Sequence, residues 1–217
     1  MRFRIDLKIF IFIILFYFTK QIELYVMMLI FAIIHELGHL TVGILLKMRP
    51  EKIEIMPFGL TISFKINTID YNKKVKKANL LEIKKIIVAL AGPVINLMLC
   101  IIAYSINIHT VQRTMIIYSN FLIAAFNMIP IYPLDGGRIL KGILAINFGK
   151  RVSEKYINEI SIITTIIMTA ISSILILYLK NIAVFFIDMY LWYLVIKEMR
   201  KYNKRELLYK QIEKICV

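Results

Sequence analysis

Three stretches of this chain carry no charged residue over the length of a membrane-crossing helix: Ile86–Gln112, Thr114–Leu134 and Ile160–Leu179. A hydrocarbon core about 30 Å thick takes roughly 20 apolar residues in helical form, so each stretch predicts a transmembrane helix. Leu24–Leu46 predicts another, interrupted only by His35, Glu36 and His39, and Asn181–Ile196 a shorter one interrupted by Asp188. Ile9–Thr19 is the shortest and spans only if Lys8 and Lys20 snorkel to the interfaces. No small-residue cleavage site follows it, so it reads as a retained helix rather than a signal peptide. The expectation is an all-α polytopic membrane protein of about six transmembrane helices. The 59% hydrophobic content agrees with that class.

The net charge of +14 is placed by topology. With six spans, 25 of the 28 Lys and Arg fall on one side: the N-terminus, the loop Lys47–Lys85, the connection Asp135–Glu159 and the tail from Lys197. The other side holds Lys20, Arg113 and Lys180. The positive-inside rule then puts both termini and both large loops in the cytoplasm, with anionic lipid as a secondary contact and no nucleic acid expected. Cys100 and Cys216 lie in a span and in the tail, too few and too far apart for a disulfide framework or a Cys-based metal site.

The first large loop has its own pattern. Leu60, Ile62, Phe64 and Ile66 alternate with Thr61, Ser63, Lys65 and Asn67, which predicts a half-buried strand, with Ile53 and Ile55 as a shorter partner and Pro57 and Gly59 at the turn. The second span is thus followed by a small membrane-associated β-hairpin over about residues 52–67. The expected organisation is a six-span domain over residues 1–196 and a short basic cytoplasmic tail over 197–217; the CBS and PDZ domains of the family that the chain resembles, described below, are not expected in it.

The second span holds His35-Glu36-Leu37-Gly38-His39. Residues four apart on a helix point the same way, about 40° apart in projection, so two imidazoles can ligate one metal. Glu36 sits one step round, within reach of a water on that metal. Ionisable groups inside a bilayer cost about 2.5–3.5 kcal/mol each on insertion scales and are functional by default. The bland alternative is a hydrogen-bonded polar clamp between helices. Catalytic zinc sites usually have three protein ligands and a water. Asp135 and Asp188 are the remaining acidic candidates at membrane depth. Asp135 ends Pro130-Ile-Tyr-Pro133-Leu-Asp135 and precedes Gly136-Gly137, so the span should unwind there and present the carboxylate inward. The same residues could form an ordinary interfacial turn, and Asp188 reads more readily as a helix-packing residue. Asn127, two turns before Asp135, is either a contact for a developing oxyanion or an interhelical clamp. Gly92-Pro93 and Asn96 suggest a kinked, closely packed helix. No Gly-x-Ser-Gly motif or plausible pair of aspartates offers a serine or aspartyl mechanism.

Together, His35-Glu36-x-x-His39, Ala91-Gly92-Pro93-x-x-Asn96 and Asn127-x-x-Pro130-x-x-Pro133-Leu134-Asp135-Gly136-Gly137-Arg138 resemble the site-2 protease family of intramembrane zinc metalloproteases, peptidase family M50. The resemblance implies one Zn2+ per chain on His35, His39 and Asp135, with Glu36 as general base. It also implies a substrate-pairing strand that includes Leu60, Thr61, Ile62, Ser63 and Phe64. The six-span layout looks like the family's sporulation branch, which processes the sigma-factor precursor pro-sigma-K at the membrane around the forespore. That implies a bacterial, multi-pass cell-membrane enzyme with a membrane-associated protein substrate and membrane regulatory partners. Two other classes remain: a membrane metal-ion carrier, which would not need Glu36 as a base, and an inactive scaffold binding membrane peptides. The charge split makes the topology testable. Single cysteines at positions 75, 145 and 205 should resist a membrane-impermeant thiol reagent in intact cells, and external labelling at any of them would overturn the six-span expectation.

Overall fold

The computed structural model of the protein describes residues 2–5, 14, 17–18, 22–56, 59–65, 75–106, 110–179 and 183–215. The chain divides into two compact units, residues 1–128 and 129–217.

The first unit is built on α1 (Ile22–Leu45), α2 (Val75–Ser105) and α3 (Thr110–Asn127). Helix α1 packs on α2, and α2 on α3. Small residues set the α1–α2 approach: a Cβ at Gly38 would lie 2.5 Å from Ile95 Cδ1 and 3.2 Å from the Ala91 carbonyl oxygen. Without a hydrophobic drive between helices in lipid, such backbone contact is how spans associate. Pro93 lies inside α2, where its missing N–H and its ring disturb the preceding turn. Helix α1 stops in a Schellman motif. The Met48 N–H donates to the Gly43 carbonyl and the Lys47 N–H to that of Ile44, with Lys47 at φ 60° where glycine usually stands. Lys84 Nζ donates to the Leu46 carbonyl at 3.0 Å, a cation at the negative end of α1.

Three strands complete this unit: β1 (Arg2–Ile5), β2 (Arg49–Met56) and β3 (Gly59–Lys65), in the order β1-β2-β3. β2 and β3 pair antiparallel with Ile55 opposite Leu60 and Ile53 opposite Ile62, and an irregularity follows Pro50, which has no N–H to give. β1 pairs parallel to β2, an addition that the sequence pattern did not suggest. β3 is left as an edge of the described sheet. Phe64 seats β3 on α1, since a Cβ at Gly43 would stand 2.2 Å from its ring.

The second unit contains α4 (Asp135–Phe148), α5 (Lys150–Leu179) and α6 (Ala183–Ile215); α5 packs against both of the others. Gly149, at φ 83°, makes the break between α4 and α5. At the charged end of the α5–α6 pair Arg151 donates to Glu206 at 3.0 Å, and this hydrogen bond holds the Glu206 carboxyl below its ordinary range.

Among the described residues, three helices are long and apolar enough to cross a membrane: Tyr25–Leu45, Ala78–Ser105 and Lys150–Tyr178. The run Thr114–Leu134 is only partly helical, because α3 ends at Asn127 ahead of Pro130 and Pro133 and its polar ends dilute it. The run Asn181–Ile196 forms the first half of α6, which continues unbroken into the charged tail. Apart from residues 14, 17 and 18, which are helical, the shortest run lies outside the described residues, as do Pro57 and Phe58 of the turn.

The Phe64 contact gives a test of how the sheet is held. Gly43→Ala should force the ring away and cost about 1–3 kcal/mol, as overpacking does. Limited proteolysis in detergent should then nick residues 49–65 faster than in wild type; an unchanged nicking rate would show that the sheet is held elsewhere.

Candidate metal centre

His35 and His39 lie on one face of α1 and are each only 2% exposed. Their Nε2 atoms stand 3.1 Å apart. The second ring nitrogen of each is held by α2: His39 Nδ1 donates to the Val88 carbonyl at 2.7 Å, and His35 Nδ1 donates to Asn96 Oδ1 at 3.1 Å. A carbonyl can only accept, so His39 carries its proton on Nδ1, and the Asn96 oxygen fixes the same tautomer in His35. In the neutral rings both Nε2 lone pairs then face each other. That is repulsive until a cation or a proton comes between them, and it is the arrangement of two metal-ligating imidazoles oriented by hydrogen bonds from behind.

The space in front of the pair is kept by one missing methyl group. A Cβ on Gly92 would lie 2.5 Å from His35 Nε2 and 2.6 Å from His39 Nε2. Gly92 therefore makes a cradle the size of a small ion, and the pair fits a zinc ion. Asn96 is fully buried, and its Nδ2 has no partner among the described residues. Sequence reasoning took Asn96 for a packing residue. Its spacing of four from Gly92 puts it on the same face of α2, which was the available signal. Glu36 follows His35 on α1 and is half-buried.

Asp135 is the first residue of α4 and is 3% exposed. A carboxylate there is favoured by the positive end of the helix. Arg138 Nη1 lies 3.5 Å from its Oδ1. The segment before it is irregular, with a cis Tyr132–Pro133 bond. The Tyr132 N–H donates to Ser161 Oγ at 2.9 Å, and a Cβ at Gly137 would strike the Ile131 backbone at 2.5 Å. The second glycine thus lets the segment fold onto the first turn of α4. His35, His39 and Asp135 are each buried, and each side chain carries an atom that can ligate a metal ion.

The remaining candidates are placed differently. Asn127 closes α3, half-buried, and its Nδ2 donates to the Ile123 carbonyl at 3.0 Å, so one amide hydrogen serves its own helix. Leu60, Thr61, Ile62, Ser63 and Phe64 all lie in β3. Asp188 Oδ1 accepts from Thr169 Oγ1 at 3.2 Å, and Trp192 Nε1 donates to that hydroxyl oxygen at 2.9 Å, which places Asp188 in the packing of α5 on α6.

A family model described as peptidase family M50 matches residues 23–114 and 105–171, a range that takes in both histidines, Gly92, Asn96 and Asp135. The chain belongs to peptidase family M50. Among similar proteins, a zinc metalloprotease of Methanocaldococcus jannaschii is 28% identical over 176 residues, 75% of this chain and 47% of that relative. Stage IV sporulation protein FB of Bacillus subtilis is 27% identical over 126 residues, 56% of this chain and 40% of the relative. This M50 chain therefore matches less than half the length of either relative. The solved structure of the site-2 protease from M. jannaschii matches with a TM-score of 0.64 at 22% identity, covering 89% of this chain and 88% of that one, so the two share a fold.

The cradle is open to experiment. Gly92→Ala should push the two imidazoles apart and abolish stoichiometric zinc retention in purified protein, with membrane insertion intact. Zinc content at the wild-type level would show that the space at Gly92 is not needed.

Proposed function

We propose that this M50 chain is an intramembrane zinc metalloendopeptidase that cuts a membrane-associated or transmembrane protein near the cytoplasmic face. The observation that carries the reading is the buried pair of Nε2 atoms 3.1 Å apart, each ring fixed from behind by α2. Family membership supports a peptidase. The three helices apolar enough to cross a bilayer support a site inside it.

His35, His39 and Asp135 would hold one zinc ion per chain. When bound, zinc activates a water at neutral pH and polarises the scissile carbonyl. Glu36 would accept a proton from the attacking water and return it to the leaving amine. The N-terminus of α4 and Arg138, whose Nη1 stands 3.5 Å from Oδ1, orient the Asp135 carboxylate as a ligand. Asn127 retains a second amide hydrogen for a carbonyl oxygen that gains charge in the transition state. A helical substrate must expose its backbone before it can be cut, and the edge of β3, residues 60–64, would hold it extended by strand addition. The basic loops and tail support cytoplasmic termini and contact with anionic lipid. Similarity to stage IV sporulation protein FB supports a sigma-factor precursor of the pro-sigma-K kind as substrate, with membrane regulatory proteins and a forespore-membrane location.

Glu36 separates an enzyme from a metal carrier. Glu36→Gln should insert normally and keep about one zinc per chain, yet cleave a membrane-tethered substrate about 10²–10⁴-fold more slowly. His35→Ala should lose both zinc and cleavage. Metal analysis beside a cleavage assay in detergent decides the matter: a Glu36→Gln protein that cuts as well as wild type would remove the base from this mechanism.

A further inference from the structure

We propose that Glu154 is a positioning residue, through which the C-terminal helix α6 holds the Asp135 segment in its ligand-presenting form. The inference rests on the reading of Asp135 as a zinc ligand. It begins with a carboxylate where one would not be expected: Glu154, on the first turns of α5, is only 3% exposed. Two cations meet the same carboxylate oxygen. Arg205 Nη1, from the tail half of α6, donates to Oε1 at 2.9 Å, and Lys141 Nζ, from α4, stands 3.7 Å from it.

Lys141 carries the contact onward. Its ammonium lies 4.5 Å from the centroid of the Tyr132 ring, a cation–π distance. Tyr132 is three residues before Asp135, in the irregular segment that has no helix or strand of its own to fix it. That segment is held to α5 directly by the bond from Tyr132 N–H to Ser161 Oγ, and again through Lys141 to Glu154. Glu154 and Ser161 are seven residues apart, two turns along one face of α5. The described contacts thus form a chain, Arg205–Glu154–Lys141–Tyr132, ending beside the proposed ligand.

The charges explain why Glu154 is the node. One buried carboxylate compensates two cations that are themselves 20% and 40% exposed; without its charge, Lys141 and Arg205 are left as neighbouring like charges with nothing between them to hold them together. Lys141 then leaves the Tyr132 ring, and of the two described ties from Tyr132 to α5 the Ser161 bond alone is left. The neighbouring Arg151–Glu206 pair is more exposed and ties α6 to α5 at a different place, so it is a weaker support for the Asp135 segment. Supports one step behind a metal ligand typically set affinity by roughly 10–100-fold; Glu154 acts through Lys141 and Tyr132, so its effect belongs at the low end of that range.

The test is zinc affinity, measured by chelator competition on the full chain in detergent, with thermal unfolding of the zinc-free protein beside it. Glu154→Gln and Tyr132→Leu should each weaken zinc binding roughly tenfold or more. Tyr132→Phe, which keeps the ring under Lys141, should stay within about twofold of wild type. A merely structural Glu154 would lower the melting temperature and leave zinc affinity within that margin, which would overturn the inference. Should Glu154→Gln fail to fold, the Tyr132 pair decides: equal affinity in the Leu and Phe variants overturns it as well. Wild-type protein that holds no zinc would bring down the metal reading itself, an outcome distinct from zinc-loaded wild type and unaffected variants.

Discussion

The site depends on how closely two helices approach. A methyl added at Gly38 would collide with Ile95 Cδ1 and crowd the Ala91 carbonyl oxygen at 3.2 Å, and one added at Gly92 would collide with both imidazoles. That approach brings the Val88 carbonyl and the Asn96 amide oxygen within reach of the two imidazoles and fixes both tautomers. Larger side chains at Gly38 or Gly92 would widen the crossing, and the histidines would lose their partners in a setting that offers no water in exchange. In lipid the usual cost of an unsatisfied polar group rises, so one packing contact decides both stability and chemistry.

The same constraint explains the polar residues along the long helices. Asn120, Ser161 and Thr165 each donate to the carbonyl four residues earlier in their own helix. Such bonds use a hydroxyl or amide hydrogen without a neighbouring helix and keep the segment insertable. Asp188 is accommodated differently, by a hydroxyl whose oxygen is also hydrogen-bonded by Trp192. Its placement separates it in kind from Asp135, which sits at a helix N-terminus beside an arginine. Two acidic residues at similar hydropathy therefore have different work, and the surroundings, not the residue type, assign it.

The second unit shows how an irregular segment can be held without a regular partner. Residues 129–134 have no ladder, so Ser161, Gly137 and the Lys141–Tyr132 contact do what a helix would do for itself. The charged end of the α5–α6 pair is part of that support rather than an appendage, because Glu154 faces Arg205 on one helix and Lys141 on another.

The sequence by itself determined a great deal. Uncharged runs at membrane length leave few choices of fold class, and His-Glu-x-x-His inside such a run specifies its own geometry, because helical spacing alone puts the two rings on one face. The break before Asp135 was legible in Pro130, Pro133 and the two glycines, since a missing N–H and a missing Cβ act locally. What only the tertiary structure decided is what long-range contacts supply. Nothing local says that Asn96 orients His35 from 61 residues away, that Val88 gives its carbonyl to His39, or that Gly92 is empty so that two imidazoles can meet. The pairing of residues 2–5 with β2 and the burial of Glu154 between Lys141 and Arg205 were equally out of sight. Periodicity reports which face of an element is apolar, but a polar residue's partner on another element is fixed only when the helices pack.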